Sequence, residues 1–289
     1  MHPFQYLAPT SVAEAVDALA RYGDRARALA GGTDILVQTR TGRFDLDAVV
    51  DVKRVPELTA LTLGEDGLSI GAAVPCYRVY EDAEVAGLYP GLIDAASLIG
   101  GIQIQSRASL GGNLCNASPS ADGICPLIVH YGQAHSAGPD GRRSTPVEEF
   151  CVAPGRTILE PGEFLVSIEL PRPPAGFGGA YQRFIPRNEM DIAVVGVGSS
   201  LTLNAAGDRV ESARVALAAV GPTPILAHAA GDSLVGKTPG IDAFREAGEL
   251  AADAARPISD MRGDVNFRKE LVRVLTRRTL TTALERAQS

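Results

Sequence analysis

The sequence predicts an α+β fold in two parts, and three observations carry that prediction. Helical periodicities and short apolar, strand-like runs alternate up to residue 170, with no internal repeat. A proline- and glycine-rich stretch, Pro171-Arg172-Pro173-Pro174-Ala175-Gly176-Phe177-Gly178-Gly179, is the sharpest change of composition in the chain. Beyond it extended runs come first and helices second, the order of a small antiparallel sheet packed against helices. A chain of 289 residues also exceeds the ~250 at which single cores tend to stop growing. The expected division is a first domain over residues 1–174, in two lobes of about 1–54 and 55–174, and a C-terminal domain over 175–289.

Ser11-Val12-Ala13-Glu14 has the form of a capping box. Val12, Ala15, Val16, Leu19 and Ala20 follow at helical spacing, so a helix is expected to about Tyr22, closed by Gly23. Arg27 to Ala30 reads as a short buried strand that runs into Gly31-Gly32-Thr33-Asp34, after which Ile35 opens a helix-like segment. A glycine-rich strand-to-helix turn leaves main-chain N–H groups free at the helix start, which suits a phosphate; a plain structural turn accounts for the same residues. Residues 48–52 form a strand, and 61–63 and 68–70 flank Glu65-Asp66-Gly67 as a hairpin. Residues 77–85 and 92–99 are expected to be helical.

Residues 109–122, Ser-Leu-Gly-Gly-Asn-Leu-Cys-Asn-Ala-Ser-Pro-Ser-Ala-Asp, lie between apolar runs yet are nearly all small or polar. Adjacent Gly111 and Gly112 permit backbone conformations closed to other residues and a close approach of N–H groups to an anion, so this stretch reads as the cradle of a phosphate-bearing cofactor. Asp122 is expected to cap a helix through Ile124, Leu127, Ile128 and Tyr131, with Pro126 in its first turn. Residues 164–170 close this part as a strand. In the second part, strands are expected at 180–185, 192–203 and 210–220. A final helix carries Phe267, Leu271, Val274, Leu275 and Arg278.

With 45% apolar and 21% charged residues the chain is an ordinary globular protein, which excludes a disordered or fibrous one. A net charge of −7 argues against broad nucleic-acid or anionic-membrane binding. No apolar run approaches the ~20 residues that span a bilayer, and the first residues lack the basic and apolar regions of a signal peptide, so the expected location is the cytoplasm. Cys76, Cys115, Cys125 and Cys151 form no C-x-x-C pair and are expected as reduced, mostly buried thiols. The four histidines form no H-E-x-x-H, and no metal is expected on this chain.

Two motifs match and mislead. Gly231-Asp232-Ser233-Leu234-Val235-Gly236-Lys237-Thr238 fits the P-loop expression, but a P-loop needs a buried strand before it and a helix opening at its lysine. The residues before it look helical, and Pro239-Gly240 interrupts just after it, so a helix end with a lysine is preferred. Gly196-Val197-Gly198-Ser199-Ser200-Leu201 imitates a dinucleotide fingerprint but has Leu at the third glycine and continues as strand.

The pairing of Ala30-Gly31-Gly32-Thr33-Asp34 with Ser109-Leu110-Gly111-Gly112-Asn113, about eighty residues apart, resembles the FAD-binding medium subunit of the molybdenum hydroxylases, the xanthine dehydrogenase and carbon monoxide dehydrogenase flavoproteins. The resemblance covers the whole chain: Phe4-Gln5-Tyr6-Leu7-Ala8-Pro9, the Ala-Ser-Pro-x-x-Asp ending at Asp122, the strand from Leu165, and Arg187-Asn188-Glu189-Met190-Asp191-Ile192-Ala193. It implies an α+β fold of the vanillyl-oxidase/PCMH type followed by a smaller C-terminal α+β domain. It also implies that the two Gly-Gly segments bind the FAD diphosphate, and that Asp122 and Leu165 contact the flavin. A family lysine falls on Arg183, which keeps the charge but not the shape; a surface ion pair between Arg183 and Asp191 is the alternative. The chain departs from its relatives at Gln105-Ser106, where many carry Arg-Asn, although Arg107 is retained. Residues 260–262 and 266–268 resemble family segments, and the inserted iron–sulfur loop of some relatives is missing, so no cluster is expected here.

What the resemblance implies about function is an electron-transfer role. A molybdopterin-binding large subunit would hydroxylate the substrate and a small subunit with [2Fe–2S] clusters would deliver electrons. The FAD on this chain would pass them to NAD⁺, oxygen or a quinone, within a dimer of heterotrimers. No catalytic nucleophile or acid–base pair is needed on this chain, because flavin redox cycling does the chemistry. A P-loop nucleotide-binding or scaffold protein with no redox role is the other reading.

Overall fold

The computed structural model describes residues 2–187 and 190–289. Asn188 and Glu189, in a segment that carries part of the resemblance, lie outside the described residues. Three sheets organise the chain. The first has Ala48–Asp51 at its centre, paired in parallel with Gln5–Leu7 and Ala26–Leu29. Its crossovers pass through helices, as parallel pairing requires, and the helix Val12–Tyr22 buries Ala15 and Leu19. The Ser11 hydroxyl accepts from the Glu14 N–H at 3.2 Å, while Glu14 turns back to the Thr10 N–H at 2.8 Å rather than closing a reciprocal box on Ser11.

The second sheet is antiparallel, in the order Leu61–Leu63, Gly67–Gly71, Phe164–Pro171, Gln133–Gly138 and Gly141–Pro146. The third runs Phe177–Phe184, Val195–Leu203, Val210–Ala218 and Ile225–Leu226, covered by the helices Ile241–Ala254 and Val265–Ala287. All nine residues of Val195–Leu203 are buried, which explains the small side chains of its glycine-serine run; Gly198, for instance, lies against Cys125. The third sheet also seals against the first part of the chain. Ser200 donates to the Val129 carbonyl at 2.8 Å, Ala219 N–H to that of Pro119 at 2.7 Å, and Arg286 grips Asp94 at 2.7 and 2.9 Å.

Several expectations are corrected. Residues 77–85 are two helices, Cys76–Tyr80 and Ala83–Leu88, because the Asp82 carboxylate accepts from the Glu84 and Val85 N–H groups and starts the second. Leu110–Asn116 is a helix, capped by Ser109, whose hydroxyl accepts from Gly112 N–H at 3.0 Å. Asp122 caps nothing: Gly123 precedes the helix Ile124–Val129, and the Asp122 carboxylate turns to Tyr181 and Arg183. Arg183 and Asp191 do not pair, since Arg183 is committed to Asp122 and Asp191 lies 3.3 Å from Arg187.

The P-loop look-alike has no phosphate-loop geometry. Its first glycine lies inside the helix His228–Asp232, Gly236 makes a left-handed turn at φ 77°, and the next helix starts only at Ile241. Lys237 bonds Glu246 at 2.6 Å. Among the described residues no helix is long and apolar enough to cross a membrane, and no group of three or more His, Cys, Asp or Glu could hold a metal.

Candidate functional site

The strand Ala26–Leu29 delivers the chain into the first glycine turn, and the helix Ile35–Arg40 leaves it. Gly32 has φ +81°, the left-handed conformation that a side chain disfavours, directly after Gly31. The turn is bonded from outside. The Ala30 carbonyl accepts from Lys53 Nζ at 2.9 Å and the Gly31 carbonyl from Arg107 Nε at 3.0 Å. The second turn instead begins a helix and supplies its own cap, Ser109.

The two turns, distant in sequence, touch. A Cβ on Gly31 would lie 1.9 Å from the Arg107 carbonyl oxygen, two residues before Ser109. Asn116 links them further, donating to Asp34 at 3.2 Å and accepting from Gln38 at 2.8 Å. Between them opens a cleft of about 530 Å³, lined by Ala30, Gly31, Gly32, Thr33 and Asp34 from one side, Ser109, Gly111, Gly112 and Asn113 from the other, and Leu165. That volume falls within the ~300–1,000 Å³ of small-molecule sites. Leu110, Asp122 and Arg183 do not line it: Leu110 packs into the core, and the other two pair with each other.

The main-chain donors show what the cleft suits. The N–H groups of Gly32, Thr33, Asp34 and Gly111 donate to no acceptor among the described residues, and Gly111 is buried. Free N–H groups at a turn and at a helix start favour a negative charge, so an anionic acceptor from a ligand fits this edge of the cleft. Three cations that no sequence pattern marked add to it, Arg27, Arg43 and Arg156. The guanidinium groups of Arg27 and Arg43 lie 5.0 and 5.5 Å from the Phe44 ring centroid, so both are held by the same aromatic ring. Arg27 lies on the strand Ala26–Leu29, on the same face as Leu29. Arg43, Phe44 and Arg156 come from segments without a periodic signal.

Asp34 faces the same space, and burial pushes its carboxyl above the ordinary carboxylate range. Cys115 also lines the cleft, but burial raises its thiol to about 12, so it is neutral and no nucleophile near pH 7. Asn113 is spent on structure, accepting from the Gly123 N–H at 3.0 Å. Gln105 is likewise structural: buried, it donates to the Ser97 carbonyl at 2.7 Å and accepts from Tyr80 at 3.1 Å.

Outside the cleft lining, Asp122 accepts from Tyr181 Oη at 2.7 Å and from Arg183 Nη1. Burial raises the Asp122 carboxyl against the opposing pull of both partners, and the Arg183 Nε is buried with no acceptor among the described residues. The arrangement as a whole can bind an elongated anion and flank it with apolar and cationic groups.

Comparison with known proteins agrees with this geometry. The family described as "FAD binding domain in molybdopterin dehydrogenase" matches residues 2–173, and "CO dehydrogenase flavoprotein C-terminal domain" matches 180–283. The xanthine dehydrogenase FAD-binding subunit of Escherichia coli O157:H7 is 31% identical over 98% of this chain and 96% of its own. A solved structure of carbon monoxide dehydrogenase from Hydrogenophaga pseudoflava superposes with TM-score 0.93 at 31% identity, covering 99% of each chain. Quinoline 2-oxidoreductase from Pseudomonas putida 86 superposes with TM-score 0.90 at 30% identity, covering 100% of this chain and 99% of that one. The expected fold class holds, and the chain belongs to the FAD-binding subunits of the molybdenum hydroxylase family, an oxidoreductase flavoprotein.

Proposed function

We propose that the cleft holds FAD with its diphosphate between the two glycine turns, and that the chain passes electrons rather than transforming an organic substrate. The observation that carries this reading is the meeting of both turns at one cleft edged by unpaired N–H groups. Gly31, Gly32, Thr33 and Asp34 would hold the diphosphate with Ser109, Gly111, Gly112 and Asn113 facing them; Leu165 would supply an apolar wall for the ring system. Leu110 contributes only by packing the second turn, and Asp122 with Arg183, paired with each other and not among the residues lining the cleft, would border the ring end. When bound, FAD accepts electrons singly and releases them in pairs, which the protein's residues tune by charge and by excluding water.

On this reading the electrons come from a [2Fe–2S] small subunit and leave to NAD⁺, oxygen or a quinone, with a molybdopterin-binding large subunit acting on the organic substrate. The relatives named as medium chains and subunits of dehydrogenase complexes support such an assembly, and a dimer of heterotrimers in the cytoplasm is the form proposed. The division into domains at 1–174 and 175–289 belongs to the same proposal, the first part carrying both turns. Anaerobic mixing of the flavin-loaded chain with its reduced iron–sulfur partner tests the role. Bleaching of the flavin absorbance only when the partner is present is the expected result; a flavin that stays oxidised would exclude this chain from the electron path.

A further inference from the structure

The first glycine turn is held by two cations that do not line the cleft. Lys53 Nζ bonds the Ala30 carbonyl at 2.9 Å and Arg107 Nε bonds the Gly31 carbonyl at 3.0 Å. These are consecutive peptide units. In a trans peptide the carbonyl and the N–H of one unit point in opposite directions. Fixing the Ala30 carbonyl on Lys53 therefore turns the Gly31 N–H away from Lys53, and fixing the Gly31 carbonyl on Arg107 does the same for the Gly32 N–H. Gly31 and Gly32 both line the cleft, and Gly32 adopts a left-handed φ of +81° that turns the chain at this edge.

Lys53 is held from two sides. Lys53 also bonds the Asp51 carboxylate at 2.6 Å, and Asp51, nearly buried, accepts in turn from Tyr6 and from the Lys53 N–H at 3.0 Å. Those contacts hold Asp51 in its ionised form below the ordinary carboxylate range, even though burial opposes them, so the lysine keeps its charged partner. The backbone of Arg107 abuts Gly31, where no Cβ fits, so its exposed side chain starts beside the carbonyl it bonds. A carbonyl that accepts from a cation also polarises its amide and strengthens the opposite N–H as a donor.

We propose that Lys53 and Arg107 are positioning residues that aim the Gly31 and Gly32 N–H groups at the diphosphate of the cofactor. The inference rests on the FAD reading above, and it predicts an effect confined to ligands that carry phosphate. The test titrates the full-length chain, stripped of cofactor, with FAD and separately with riboflavin, which has the same ring system and no phosphate. Lys53→Met and Arg107→Gln should each weaken FAD about tenfold, the loss of roughly one charge-assisted hydrogen bond. Riboflavin affinity should move less than twofold. Lys53→Arg, which keeps a cationic donor, should recover most of the FAD affinity.

An unchanged FAD affinity in both variants would overturn the proposal, and so would an equal loss of FAD and riboflavin, which marks general damage to the cleft. Failure of the unsubstituted chain to take up FAD at all would instead overturn the functional reading on which this rests.

Discussion

The two glycine turns reach one cleft by different means. The first has no cap of its own: Asp34 makes no side-chain capping bond, and its carbonyls are held by Lys53 and Arg107 from elsewhere in the chain. The second is the start of a helix whose Ser109 satisfies a local donor. Within each pair, one glycine packs and the other is free of that duty. Gly31 and Gly111 are glycine because main chain lies where a Cβ would go, Arg107 in one case and Ala72 in the other. Gly32 is glycine for its φ, and Gly112 has only Ser109 Oγ near a hypothetical Cβ, at 3.0 Å. Each Gly-Gly pair thus has one position that neighbouring main chain closes to any side chain and one that it leaves open.

Gly31→Ala is expected to do the most harm. Its Cβ would sit 1.9 Å from the Arg107 carbonyl oxygen, and backbone on both sides must move. A loss of ~3 kcal/mol in urea unfolding, with FAD binding abolished, is the predicted outcome. Gly111→Ala comes next, meeting the Ala72 carbonyl oxygen at 2.5 Å and Cα at 2.6 Å, at a cost of ~2 kcal/mol. Gly112→Ala should separate from it: a helical Gly→Ala exchange with one yielding neighbour leaves stability within ~1 kcal/mol of the parent chain and weakens FAD alone. Equal damage from the two would erase the distinction between close-packed and open glycines.

A smaller effect follows from charge. The first turn places an ionisable side chain on the cleft, Asp34, where the second places only Ser109 and Asn113. Burial raises the Asp34 carboxyl, so it ionises above the ordinary carboxylate range, and the ionised form repels a diphosphate. FAD affinity should fall as pH rises above the ordinary carboxylate range, where Asp34 ionises, and Asp34→Asn should tighten binding about threefold near neutrality and remove the dependence. Titrations at several pH values check both. The smallest effect is expected at the P-loop look-alike, where Lys237 is tied to Glu246 on the surface and Lys237→Ala should leave the FAD content unchanged.

Local chemistry was the legible part of this chain. The capping Ser11, the hairpin around Glu65-Asp66-Gly67 and the strands flanking the 204–208 turn follow from nearest-neighbour rules, and the structure has them. The helix Leu110–Asn116 was hidden because two glycines and two asparagines depress helix propensity, which its Ser109 cap and buried Leu110 and Leu114 override. Asp122 looked like a cap because an Asp before an apolar run usually is one; a tyrosine and an arginine some sixty residues on claim it instead. The clamps on Ala30 and Gly31, and the arginines around Phe44, depend on which segments the fold brings together, which no local pattern encodes.

That both turns serve one cofactor is tested most directly by the flavin content of the purified chain. Denaturing the protein and quantifying the released flavin by its absorbance near ~450 nm, with its mass identified, should yield one FAD per chain. A purified chain that carries no flavin and takes up none on reconstitution would contradict it.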